Sequence, residues 1–494
     1  MENFRAEIAL GFVIGYMALC IAIGIWAMRR TKSTQDFFMA SRHLGFIVAS
    51  VAVFSSIMSG FGFVGGPGLV YKMGTSSFWM IICTSIGISL AFFLLGKRLR
   101  LIAELRQPIS LPDAIRARYK STSTSLLTAI AILLGVLGYL ATQILAMAAV
   151  MQTILAAVPW IGDVPGEICL VISSAVLVFY CVTGGIIASV YTDLIQGIIM
   201  VVAAVLVFMT AIMVVEGGLT GMAETMLADD PESIGPWGTR GMVGCLSWYI
   251  VFTIGLAGQP HIITKFMMTR RVDEARAMLP VSVLGYVLSA CLWVGIGLCM
   301  RTLVLQGIHE PLDVADQAAP QFLQHYANPI LAGVVFAGLF SAIMSTADGF
   351  LNIGAAAVVH DIPRAVRGRS LKNELLWARI ATVLLATLAA VFALYSGDMI
   401  AILGAFGWST FAAAIVPTVA IGFNWKRATP LACNLAIVSS LLINFSLKIF
   451  DVTLPYNFDV GALSLLTSIT LFFIVSLCSP RPKLDPDIEA VMDL

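Results

Sequence analysis

Two clusters of hydroxyl side chains lie where membrane-buried helices otherwise carry carbon. The stretch "SSIMSG" at 55–60 returns almost letter for letter as "SAIMST" at 341–346, each inside a long apolar segment. In the second copy, helical spacing puts Ala342, Ser345, Thr346 and Gly349 on one face, with Asp348 three residues beyond Ser345. Hydroxyls, a carbonyl and a carboxylate on one stripe make an all-oxygen surface. Oxygen ligands suit a hard cation, and for an alkali ion hydroxyls and carbonyls suffice. Serines in apolar helices also bond back to the i−4 carbonyl or serve close helix packing. Two such clusters, one with Asp348 beside it, tip the balance toward ion binding. The first copy sits in "VAVFSSIMSGFGFVGGPG" (51–68), crowded by Gly60, Gly62, Gly65, Gly66 and Pro67. Glycine costs about 1 kcal/mol and proline about 3 kcal/mol in a helix interior. This segment is therefore expected to unwind near its middle, freeing carbonyls at membrane depth, as transporters do where they bind ions and solutes.

The elements that must hold these clusters are membrane helices. Of 494 residues, 59% are hydrophobic and only 12% charged, and the mean hydropathy is +0.94; no soluble core of this length requires that. With about 20 apolar residues needed per crossing, thirteen spans are expected: 8–28, 45–71, 76–96, 123–155, 167–187, 189–215, 239–263, 278–304, 328–360, 377–396, 399–424, 429–447 and 460–478. The run Ile8 to Met28 is too long for a signal-peptide core and no small-residue cleavage site follows before Arg29 and Arg30, so it is expected to stay as a span. The connections 29–44, 97–122, 264–277, 361–379 and 425–428 and the tail after 479 hold 24 of the 29 Lys and Arg. Basic loops stay cytoplasmic, which places the N-terminus outside and the C-terminus inside a plasma membrane, here the bacterial cytoplasmic membrane. The nine cysteines are scattered singly, with no ligand or disulfide spacing. No soluble catalytic module is expected, nor a nucleic-acid partner; the partners are membrane lipid, an ion and a small solute. The oligomeric state is left open, a monomer being allowed.

Four motifs carry a resemblance. "TGGIIASVYTDLIQ" (183–196) resembles the signature of the sodium:solute symporter family, while "GQPHI" (258–262) and "AIMSTADGFL" (342–351) resemble its sodium/proline symporter branch. "SRHLG" (41–45) before the glycine-rich span resembles the start of that family's core. The similarity implies an all-α integral membrane protein of about 13 transmembrane helices, with a LeuT-type core of two inverted five-helix repeats. The first helix and loop would occupy 1–44. The core would occupy 45–424, its repeats at about 45–215 and 239–424. Two last helices and a short tail would occupy 425–494.

The resemblance further implies a sodium site between the second and ninth spans, its ligands the carbonyls of Ser55, Met58 and Ala342 and the hydroxyls of Ser345 and Thr346. Sodium would be the coupling ion, with no cofactor and no catalytic residue. A carboxylate within the membrane is functional by default, so Asp193, with Ser345 and Asp348, would form a second sodium site or carry a proton. One departure stands out: the proline branch has an acid within the first cluster where this chain has Ile57. The substrate pocket would be lined by Ser59, Phe61 and Gly62 from the second span, Tyr139 and Gln143 from the fourth, and Trp248, Phe252 and Gln259 from the seventh. His261 reads as structural. No Lys or Arg falls at mid-membrane depth within these spans, which favours a small zwitterion or monoanion over a multiply charged cargo. The expected function is sodium-coupled import of a small solute, an amino acid such as proline, by alternating access. The alternatives are sodium- or proton-coupled uptake of pantothenate or a short monocarboxylate, or a transporter-like sensor. An intramembrane aspartyl protease is set aside, since Asp348 in "STADGF" lacks the G-x-G-D context.

Overall fold

The computed structural model describes residues 5–30, 34–39, 44–396 and 399–494. Positions 41–43 of "SRHLG", and the side chains at 183–188 of the signature stretch, lie outside the described ones. Among the described residues, helices are joined by short loops, and the strand-like pairing is one isolated bridge, Leu44 with Thr269. Among the described residues, eleven helices are long and apolar enough to cross a membrane, beside the shorter apolar segments Phe46–Ile57 and Gly166–Phe179. Large apolar side chains such as Ile14, Phe93, Ile198, Leu388 and Ile474 stand exposed on the outside, as lipid contact requires.

The helices that matter for the site are α1 (Arg5–Arg30), α2 (Phe46–Ile57), α3 (Gly66–Met73), α4 (Thr122–Ala156), α5 (Gly166–Val214), α6 (Gly241–Trp248), α7 (Pro260–Phe266), α8 (Glu274–Leu305), α9 (Pro329–Ala356), α10 (Glu374–Ser396), α11 (Ile400–Ile415), α12 (Pro430–Ile449) and α13 (Val460–Cys478). Helix α9 packs against α5, α4 and α1; α8 packs against α5, α3 and α2; and α11 lies along α4.

The expected interruption of the second span is present. Helix α2 stops at Ile57, and Met58 leaves helical geometry with φ −83° and ψ 77°. A π-helical turn, Phe61–Gly65, then leads into α3, with Pro67 in its first turn. Glycine is required at 60 because a Cβ there would come 2.6 Å from the Ala146 Cβ. The seventh span is broken as well: α6 passes through a π-helical stretch (Tyr249–Ile254) and a 3-10 turn (Gly255–Gly258) to Gln259, whose extended backbone precedes Pro260 at the start of α7. Each expected repeat thus opens on an interrupted helix. The two are stitched together at their basic-loop ends, where Leu44 N–H donates to the Met268 carbonyl (3.2 Å) and Arg270 N–H to the Leu44 carbonyl (3.1 Å).

One boundary differs. Spans 167–187 and 189–215 are expected as separate helices, whereas the helical run α5 continues from Gly166 to Val214.

Candidate ion and substrate site

The two hydroxyl clusters come together, but not in the manner expected. Ser55 is buried and its Oγ donates to the Ala52 carbonyl (3.2 Å). Thr346 Oγ1 donates to the Ala342 carbonyl (3.1 Å). Both hydroxyls thus back-bond within their own helices while their oxygens stay in the interior. Ser345 Oγ instead leaves its helix and donates to Asp193 Oδ1 on α5. Asp348 is buried on α9, with Oδ2 free of any protein partner.

A basic residue at this depth corrects the sequence reading. Lys265, counted among the cytoplasmic loop cations, turns inward from α7: its Nζ donates to the Ala52 carbonyl (2.5 Å), to Ser56 Oγ (2.5 Å) and to Asp193 Oδ2 (3.4 Å). The Lys265 and Asp193 side chains are 4% and 1% exposed. The physical reason is local. Pro260 starts a new short helix after the break, and Lys265, little more than one turn later, faces the bundle with a stem long enough to reach α2. A signal existed, because an acid inside a membrane calls for a partner and Lys265 lies two residues past the expected end of its span.

Beyond the break lies an aromatic cluster built from the expected pocket residues. Ser59 Oγ lies 3.3 Å from the Tyr139 hydroxyl, and Gly60 N–H donates to Gln143 Oε1 at 2.8 Å. The Phe61 ring stacks on Phe252 (6.4 Å between centroids) and meets Trp293 edge-on (5.9 Å). Gly62 sits beneath Trp293, where a Cβ would find the indole at 3.4 Å. Trp248 packs edge-on against Phe252 and carries the Arg240 guanidinium over its other ring face, 3.8 Å from the centroid. Gln259 Nε2 donates to the carbonyls of Gly255 (3.2 Å) and Trp408 (3.0 Å). Several buried polar atoms here have no protein partner: Gln143 Nε2, Gln259 Oε1, Trp293 Nε1 and both ring nitrogens of His261. Buried polar groups are normally paired, so this convergence of orphans marks where a polar ligand would sit. His261, read from sequence as structural, lies against Phe350 (4.4 Å between centroids) and Tyr139 (6.0 Å) and belongs to this cluster. Trp293 and Trp408 escaped notice because nothing in their local sequence separates them from packing aromatics.

The aromatic cluster divides two cavities. On the side opposite the basic loops, a cavity of about 300 Å³ reaches down to Trp248 between α11, α12 and the segment before α13. On the basic-loop side, a tight cavity of about 30 Å³ runs from His261 and Lys265 to Ser110 and Asp361. Next to its Ser110–Asp361 end lies an ion-pair network. Asp113, on the helix Leu111–Tyr119, accepts from Arg364 (2.8 Å) and faces His360 Nε2 (3.0 Å), while His360 Nδ1 faces Glu374 (3.0 Å). Asp113, His360 and Asp361 are close enough to hold a metal, but a carboxylate on each ring nitrogen makes His360 a double donor, and Arg364 already occupies Asp113. This set locks a helix junction instead.

Comparison with known proteins follows the same lines. A family model described as the sodium:solute symporter family matches residues 37–433. The osmoregulated proline transporter OpuE of Bacillus subtilis (strain 168) is 26% identical over 492 residues, covering 96% of each chain. The sodium/pantothenate symporter of Escherichia coli (strain K12) is 24% identical over 425 residues, covering 84% of this chain and 85% of that one. Among solved structures, a Na+-coupled sialic acid symporter in a substrate-bound outward-open state has a TM-score of 0.78 at 18% identity, covering 97% of this chain and 99% of that one. The fold is accordingly the LeuT type.

Proposed function

We propose a cargo and a coupling scheme from one premise: the chain belongs to the sodium:solute symporter family. It is a multi-pass membrane protein and a secondary transporter rather than an enzyme, and its transport is sodium-coupled symport. The cargo is a small zwitterion or monoanion, an amino acid such as proline being the first candidate. The observation that carries this reading is the junction of the broken helix with the aromatic cluster, where Gly60 N–H meets Gln143 and Ser59 meets Tyr139, beside unpartnered polar atoms. Aromatic walls with few polar groups suit a small solute. Lys265 does not alter the charge argument, because Asp193 offsets it.

Sodium is held by the carbonyls of Ser55, Met58 and Ala342 and the hydroxyls of Ser345 and Thr346. The solute contacts Ser59, Phe61, Gly62, Tyr139, Gln143, Trp248, Phe252 and Gln259, joined by His261 and Trp293. Ligands from both α2 and α9 mean that rocking one helix from the other dismantles the ion site, which ties ion occupancy to one side of the alternating cycle. The basic loops face the cytoplasm, so the cavity at Trp248 is the outer vestibule and the constricted one at Lys265 the inner exit. The two repeats are taken as 45–215 and 239–424.

Pantothenate is the second reading, favoured by the E. coli relative's own cargo. Proteoliposome uptake of labelled proline, other small amino acids, pantothenate, acetate and pyruvate tests both, each under an inward sodium gradient, a proton gradient, or neither. Sodium-driven accumulation of proline alone supports the first reading. Pantothenate or acetate accumulation replaces the cargo; uptake driven only by protons moves the coupling to Asp193 or Asp348; and no accumulation of any compound favours a sensor.

A further inference from the structure

We propose that the Lys265 ammonium is a built-in cation, filling at Asp193 the place a second coupling ion would take, so that each cycle carries a single sodium ion. The inference rests on the sodium-coupled reading above. Its ground is the ligand set around Nζ: a carbonyl (Ala52), a hydroxyl (Ser56) and a carboxylate (Asp193). These are the oxygen types a hard cation seeks, and an ammonium with three N–H donors uses all three. The other Asp193 oxygen accepts from Ser345. The ammonium thus stands inside the all-oxygen surface that joins the two hydroxyl clusters, and both Asp193 oxygens are already engaged. With both side chains buried, a sodium ion beside Asp193 would have to displace the ammonium or endure its repulsion in a low-dielectric setting. The carbonyls of Met58 and Ala342 are not among the ammonium's hydrogen-bond partners and need no displacement of it to take a cation.

Removing the ammonium should convert the place into an ion site. Equilibrium binding of radioactive sodium to the purified full-length protein reads this directly, with sodium-dependent thermal stabilisation as a second readout. The expected result is one sodium per wild-type chain, two for Lys265→Met, and one again for Lys265→Met/Asp193→Asn, with stabilisation by sodium strongest in the single variant. Two sodium ions on the wild type, or no gain in Lys265→Met, overturns the proposal. A Lys265→Met chain that fails to fold at high sodium while the double variant folds also overturns it, since sodium then cannot replace the ammonium. Absence of sodium on the wild type counts against the sodium-coupled reading instead, and an ion gained by Lys265→Met would still support the built-in cation.

Discussion

Lys265 Nζ lies 3.4 Å from Asp193 Oδ2 with both side chains almost wholly buried, and this pair links the two hydroxyl clusters through Ser56 on one side and Ser345 on the other. Four helices, α2, α7, α5 and α9, therefore meet in one polar chain toward the basic-loop side of the core. Removing one partner of a buried ion pair costs about 3–5 kcal/mol, whereas replacing both by neutral groups of similar volume is often tolerated. The pair is thus better understood as an electrostatic requirement of the site than as a stabiliser of the fold, and the helices it joins include α2 and α9, which carry the two hydroxyl clusters.

Ser345→Ala and Thr346→Ala should each raise the apparent Km for sodium about tenfold or more, a loss of roughly 1.4 kcal/mol or more in ion binding. Folded yield should change little, because the Thr346 bond is a local back-bond. Uptake measured against sodium concentration checks this; unchanged sodium dependence in both variants would remove these hydroxyls from the ion site. Ser345→Ala also deprives Asp193 of its hydroxyl donor, so it should have the larger effect.

Gln143→Leu strands the Gly60 N–H, which Gln143 Oε1 accepts at 2.8 Å. A buried donor left without its acceptor costs about 1–3 kcal/mol, paid at the break in the second span. The expectation is a raised Km for the solute, with the sodium Km moved less. A variant with solute affinity intact and sodium affinity lost would place Gln143 at the ion site instead.

Gly66→Ala should destabilise the protein by about 1–3 kcal/mol through overpacking, because a Cβ at 66 would come 2.3 Å from the buried Trp293 indole. Trp293→Phe in the same chain should recover part of the loss. Thermal unfolding in detergent reads both, and an unshifted Tm for Gly66→Ala would mean that the indole can move aside.

Asp113→Asn should lower the Tm by loosening the junction beside the basic-loop-side cavity. Burial pushes the Asp113 carboxyl up, but the hydrogen bond and charge of His360 and the charge of Arg364 outweigh it and hold the group below the ordinary 3.8. For a depressed carboxyl, the stability contributed is present above 3.8 and is lost as pH falls through the still lower folded value. The Tm difference between wild type and Asp113→Asn is therefore expected to be full at neutral pH and to shrink only below 3.8. A difference that is already lost near pH 6 would assign the junction to a different titrating group.

Membrane residence, the break after Ile57 and the pairing of the hydroxyl clusters were legible along the chain because each is written in local terms: an apolar run of spanning length, glycines and a proline crowded in one span, and the same hydroxyl pattern occurring twice. Family motifs added the fold, and with it the proposal of which oxygens hold sodium. The role of Lys265 was not legible, since loop or core depends on which way one side chain turns after Pro260, and that direction is set by α2 and α5 packing around it. The orphaned atoms of Gln143, Gln259, Trp293 and His261 are a tertiary fact of the same kind. Whether a polar atom is satisfied depends on neighbours brought in by the fold from distant parts of the chain, and hydrophobic periodicity carries no record of them.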